Sequence, residues 1–247
     1  MSPQALVRLT WVESKLFFRE PLALLFTLAF PLIVLVVIAG VFASSSGRVF
    51  RGVGGSEYYV ASYVGVVIGS IGLVSLPAHV AAYRERGILR RFRASSISLW
   101  TVFGAQSIVS VGVAVVSSVL LLAAAVPLYR FGFPRSFPAL VLGFVVSALS
   151  FISLGLLIAT LFRSARTAQA VGLSLFFPLW LLSGAGPPAA VMPETMRRVG
   201  DTLPLTHAVR ALQNAWFGLD LAVTDLVFLA VMLVVAGGLT AVLGSRD

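Results

Sequence analysis

Cysteine is absent from the 247 residues, lysine occurs once (Lys15) and histidine twice (His79 and His207). Without cysteine there is no disulfide and no thiolate metal site, and two histidines with no cluster of carboxylates leave no closed zinc site. The one lysine follows Trp11-Val12-Glu13-Ser14, so a GxxxxGK[ST] phosphate loop is impossible in this sequence. ATP cannot be hydrolysed here by that route. Charge of either sign is scarce: 11% of residues are Asp, Glu, Lys or Arg, against 59% hydrophobic, with a mean hydropathy of +1.01. A chain of that composition does not turn its surface to water, and it reads as an integral membrane protein.

What charge there is, net +9 with a pI near 11.2, falls in short connections between apolar runs. The positive-inside rule accounts for that placement without nucleic acid as a partner. The apolar runs cover 21–43, 58–82, 99–128, 138–162, 167–184 and 222–244. Each approaches or exceeds the roughly 20 residues that a helix needs to cross a bilayer. The expected fold class is therefore an all-α integral membrane protein, a single transmembrane domain over 1–247 with six transmembrane helices. Between 83 and 98 lie five arginines, Arg84, Arg86, Arg90, Arg91 and Arg93. Arginine is costly in hydrocarbon, so this loop belongs at the cytoplasmic surface. That choice puts 11 of the 18 basic residues inside and 7 outside, with both termini cytoplasmic.

Ahead of the first run, residues 1–20 carry Leu6, Leu9, Val12 and Leu16 at helical spacing, with Arg8, Glu13, Lys15 and Arg19 mostly elsewhere on the wheel. That pattern predicts an N-terminal interfacial helix, with Trp11, Phe17 and Phe18 at the membrane edge. Glu13 and Glu20 interrupt the flank and the first run exceeds a signal h-region, so the first span reads as retained, not cleaved. The stretch 185–221 predicts two outer helices, Pro193 to Thr202 and Pro204 to Phe217, each opened by a proline, that turn back toward the outer leaflet as a re-entrant cap.

Ionisable residues inside the spans are few. His79 near the inner end of the second and Asp225 near the outer end of the sixth make no proton relay, which disfavours a self-powered carrier. A rhomboid-like protease would need Ser183 and His207 side by side, and Leu181 stands where its GxSG pattern requires glycine. Aromatic residues at depth, Tyr58, Tyr59 and Tyr63 with Phe176, Phe177 and Trp180, form a candidate substrate path between protomers. Gly65 and Gly69 form a GxxxG suited to close helix packing.

The order of elements resembles the permease subunits of ABC type 2 exporters, which include drug, polysaccharide and lipid export systems. Glu85-Arg86-Gly87-Ile88-Leu89-Arg90-Arg91-Phe92-Arg93-Ala94-Ser95 looks like that family's E-R-G-T-L-x-R-L-x-A-[ST] segment. Leu203-Pro204-Leu205-Thr206-His207-Ala208-Val209 looks like its P-L-T-x-x-V element. Ile88 replaces the usual threonine, and Gly186-Pro187-Pro188 an aromatic-proline pair.

The resemblance implies a multi-pass subunit of a bacterial cytoplasmic membrane, not itself an enzyme. It would pair with a second permease copy or close paralogue among membrane lipids and bind two copies of a cytoplasmic ABC ATPase subunit. The chain itself would hold no cofactor, ATP and Mg being bound by that partner. It also implies an ATPase-coupling segment carried by Glu85, Arg86, Gly87, Ile88, Leu89, Arg90 and Phe92, and an outer cap marked by Pro193, Pro204 and His207. The cargo would be an amphipathic small molecule, lipid or glycan. The alternative is a membrane assembly or immunity component of the same shape, with no ATPase partner.

Overall fold

The structure is a computed structural model that describes residues 3–17, 19, 25–89, 91, 98–129 and 131–244. Helix α1 spans Pro3–Phe17. A π-helical turn, Leu25–Ala29, leads into α2, Phe30–Val41. Next come α3 (Gly55–Glu85), α4 (Leu99–Ala125), α5 (Phe137–Leu161), α6 (Ala165–Leu182), α7 (Glu194–Gly200), α8 (Pro204–Phe217) and α9 (Val223–Gly244). Among the described residues there is no strand, only an isolated bridge between Ser46 and Gly54. Five helices, α3, α4, α5, α6 and α9, are long and apolar enough to cross a membrane. The first expected span is seen as a shorter apolar helix, Thr27–Val41, with 21–24 outside the described residues.

Local chemistry sets the ends. Ser98 and Ser164 each accept the N–H of the residue three places on, at 3.2 and 3.1 Å, and so cap α4 and α6. Prolines open α2, α5 and α8, where the missing N–H costs nothing. Glycines in the left-handed region, Gly87 after α3 and Gly218 after α8, stop those helices.

The bundle is built around α3. In its most apolar window 94% of residues are buried, against 17% in α9, so α3 is the central post while α9 leaves most of its surface for lipid or another chain. Around α3 pack α2, α5, α6 and α8, and α9 lies along α5. Ser150 ties that last pair by donating to the Leu229 carbonyl at 2.7 Å.

Halfway along α3, Pro77 cannot donate to the carbonyl four residues back, and the chain widens into a π turn over Ile71–Ser75. At that widening three helices meet backbone to backbone. A Cβ on Gly172 of α6 would stand 1.9 Å from the Leu73 carbonyl oxygen. One on Gly155 of α5 would stand 2.1 Å from that of Gly72, and one on Gly72 would stand 2.6 Å from Phe151. Only glycine permits such an approach, and the dispersion gained there holds helices together where lipid removes the hydrophobic drive.

Helix α8 has the expected bounds, but it lies deeper than a surface cap. Eleven of its fourteen residues are buried, against α3, α5 and α9. The GxxxG of α3 explains the fit: Gly65 takes Val209 and Gly69 takes Leu205, each 3.0 Å from where a Cβ would be.

Candidate functional site

At the arginine-rich end, three segments are locked together by side chains of α3. Arg84 donates to the carbonyls of Ala159 and Thr160, at 3.1 and 2.7 Å, closing the C-terminus of α5. Its neighbour Glu85 accepts the Ala165 N–H at 2.9 Å, capping the N-terminus of α6. A cation thus meets the negative end of one helix dipole and an anion the positive end of the next. The turn between α5 and α6 is pinned to the segment that follows α3. Gly87, at φ +69°, then turns the chain so that Ile88 and Leu89 pack with Leu6 and Leu9 of α1, Tyr83 of α3, and Leu99, Val102 and Ala105 of α4.

Two expectations need correction here. The face of α1 turned to the bundle carries Leu6, Leu9 and Glu13, while Val12 is 50% and Trp11 64% exposed. Residues 6, 9 and 13 follow the i, i+3, i+7 spacing of one helical face, and Val12 lies beside that face. In addition, Leu89, expected to carry contact with an ATPase, is buried within the chain itself. Of the other coupling positions, Arg86 is exposed, as is the neighbouring Arg91, and Ile88 is half-buried. Arg90 and Phe92 lie outside what is described, as do 93–97.

Glu13 is 1% exposed, and its Oε2 takes three contacts: Tyr83 Oη donates at 2.6 Å, Gln106 Nε2 donates at 2.6 Å, and His79 Nε2 stands at 3.0 Å. A buried carboxylate is tolerated only with such partners. This cluster joins α1, α3 and α4. Sequence reading set His79 near the inner end of the second span and Glu13 among the polar residues of α1, without joining the two. The available signal was the position of Glu13 one turn beyond Leu9.

The opposite end lies about 40 Å away along α3, from 26 residues at 1.5 Å each between Tyr58 and Arg84. There Phe50, buried against Phe42, Tyr58 and Tyr59, anchors the loop that carries Arg48 and Arg51. Arg51 donates to Gln213 Oε1 at 2.9 Å and Asn214 Oδ1 at 2.7 Å, both on α8. Desolvation, with a smaller push from the Arg210 charge, holds its pKa below the ordinary arginine value. Arg210 pairs with Asp201. Pro193 caps α7, Pro204 opens α8, and His207 pairs through Nδ1 with Asp225 at 2.6 Å and stacks on Phe228.

Ser183 Oγ donates to the Trp180 carbonyl and accepts the Ala185 N–H, while His207 Nε2 has no partner. The serine and histidine do not meet, which removes the protease reading. Tyr59, Tyr63 and Phe176 are fully buried in the protomer, so they face no gap between protomers as the substrate-path expectation required. Trp180 is half-buried and Phe177 exposed.

A buried central helix, an apolar rim and an arginine-rich end define a polytopic membrane component. Comparison with protein families assigns it further: the ABC-2 type transporter model matches residues 4–217, and the chain belongs to that family. It is the transmembrane permease of an ABC transporter, and membership implies association with an ABC ATPase partner. Among curated proteins, none matches the chain.

Proposed function

We propose that the chain is the membrane subunit of an ATP-driven exporter, working as a dimer with a second copy or close paralogue and two cytoplasmic ATPase subunits. Six spans place both termini in the cytoplasm of a bacterial cell, and α7 with α8 forms a re-entrant cap at the outer face. The cargo is an amphipathic small molecule, lipid or glycan.

The observation that carries this reading is the ligature at the arginine-rich end. Arg84 and Glu85 fix the turn between α5 and α6, Leu89 fixes α1, and Arg86 and Arg91 are left exposed beside them. A push on the segment after α3 would move α1, α3, α5 and α6 together, as conversion of ATPase closure into a change at the far end requires. Exposed guanidinium groups suit an acidic partner surface.

The test is reconstitution. The pure permease should show no ATP turnover, and co-purification from the native membrane should bring down an ABC ATPase whose turnover depends on the permease. Turnover by the permease alone, or recovery without any ATPase, would count against the proposal.

A further inference from the structure

A cavity of about 240 Å³ opens at the end of the bundle opposite the arginine-rich segment. Its lining includes Arg48, Arg51 and Arg210, together with Tyr58, Gln213 and Gly184, and contains no carboxylate. The arginines come from two segments far apart in sequence, the loop before α3 and helix α8, which the fold brings together.

Their charges are unequally answered. Arg210 has Asp201, but among the described residues neither Arg48 nor Arg51 has a carboxylate within ion-pair reach. Arg51 is held in place by two neutral amide oxygens of α8, with its guanidinium carbon 5.9 Å from the Phe217 ring centre. Its backbone lies in the left-handed region at φ 58°, the one non-glycine residue there among those described. Such conformations persist where the surroundings over-determine them, and they cluster at ligand clamps. Two of the five guanidinium donors of Arg51 are used by these amides, leaving three free. On the same wall, Val49, Ala189 and Ala190 offer an apolar flank.

We infer that this cavity is an anion site for a phosphate group, carried by a lipid headgroup or by a free phosphate-bearing molecule. Two guanidinium groups with no carboxylate in ion-pair reach suit a phosphate group, whether the monoanion of a lipid phosphodiester or a free phosphate, and the fork of arginine donors fits phosphate oxygens bidentately. The volume lies just under the roughly 300–1,000 Å³ of clefts that hold whole drug-sized ligands, so it suits a headgroup with its first apolar atoms. The inference does not rest on export or on an ATPase partner, and its test uses neither.

The permease, purified in detergent in its own oligomeric state, is titrated with inorganic phosphate, its melting temperature being followed at matched ionic strength in chloride. A saturable rise is expected. Arg48→Gln should weaken the apparent affinity about tenfold, and it cannot do so by unfolding the chain, because the Arg48 side chain is exposed and makes no hydrogen bond among the described residues, its backbone carbonyl alone accepting the Arg51 N–H. Arg197→Gln, an exposed charge on α7 outside the cavity, should leave the affinity unchanged. No saturable effect of phosphate, or equal losses in the two variants, overturns the site.

Repeating the titration in nanodiscs separates the sources. Affinity for added phosphate should fall at least tenfold in phosphatidylglycerol compared with phosphate-free digalactosyldiacylglycerol if a lipid headgroup phosphate occupies the cavity. Equal affinity in the two assigns it to a free phosphate-bearing molecule. Arg48→Gln should reduce binding in whichever lipid shows it, and failure of the variant to do so there also overturns the site.

Discussion

Tyr83 and Glu13, 70 positions apart, meet in a 2.6 Å hydrogen bond at the junction of α1, α3 and α4. His79, one helical turn before Tyr83, reaches the same carboxylate oxygen, and Gln106 of α4 completes the cluster. The N-terminal helix is thus fastened to the central post of the bundle.

Replacing Glu13 by Ala removes the acceptor that joins the three helices, while His79 and Tyr83 keep their mutual contact at 3.3 Å, so the loss falls chiefly on the buried Gln106 amide, at about 1–3 kcal/mol. The expected outcome is a lower melting temperature and faster hydrogen exchange over residues 6–15, with Glu13→Gln intermediate because it keeps one acceptor oxygen. Unchanged exchange in Glu13→Ala would show that α1 is held by Leu6 and Leu9 alone.

Leu89 and Arg86 separate packing from partner contact. Leu89→Asp buries a charge among Leu9, Tyr83 and Val102, and it should destabilise the permease by itself, on the order of 3 kcal/mol. Arg86→Glu alters an exposed side chain, so stability should hold while binding of the ATPase weakens. Thermal melts of the permease and pull-down of the partner check the two halves. Normal pull-down by Arg86→Glu would remove this arginine from the coupling surface.

Gly172→Ala must displace the Leu73 carbonyl by more than an ångström, which places the expected loss at about 1–3 kcal/mol. Gly112, with open space where its Cβ would stand, should tolerate alanine with no loss and a gain of up to about 1 kcal/mol. Melting curves of the two variants decide it, and equal behaviour would deny that the π turn is a close-packed crossing.

Topology is open to single cysteines, since the chain has none of its own. Ser46→Cys, in the exposed loop before α3, should react with an impermeant thiol reagent added outside cells, and Ser95→Cys, among the arginines, should not. Reversed labelling would invert the orientation and place the arginine-rich end outside.

Several features were legible in the residues because their causes are local. Apolar length, set by the thickness of hydrocarbon, marked five of the six expected spans within a few residues of their observed bounds, while the first, expected over 21–43, is seen as the shorter Thr27–Val41. Proline at position 204 marked the start of α8 through a backbone restriction that a single residue imposes. Tertiary structure alone decided what depends on partners distant in the chain. Glu13 reads as one more polar residue of an interfacial helix until His79, Tyr83 and Gln106 surround it. Gly72, Gly155 and Gly172 read as ordinary membrane glycines until three backbones meet. Arg51 and Arg210 read as scattered outer charges until α8 turns in beside α3 and closes a cavity between them. Helical periodicity reports which face is apolar and nothing about the neighbour across from it. In a membrane chain, where nearly every face is apolar, that leaves packing and polar contacts to be settled by the fold itself.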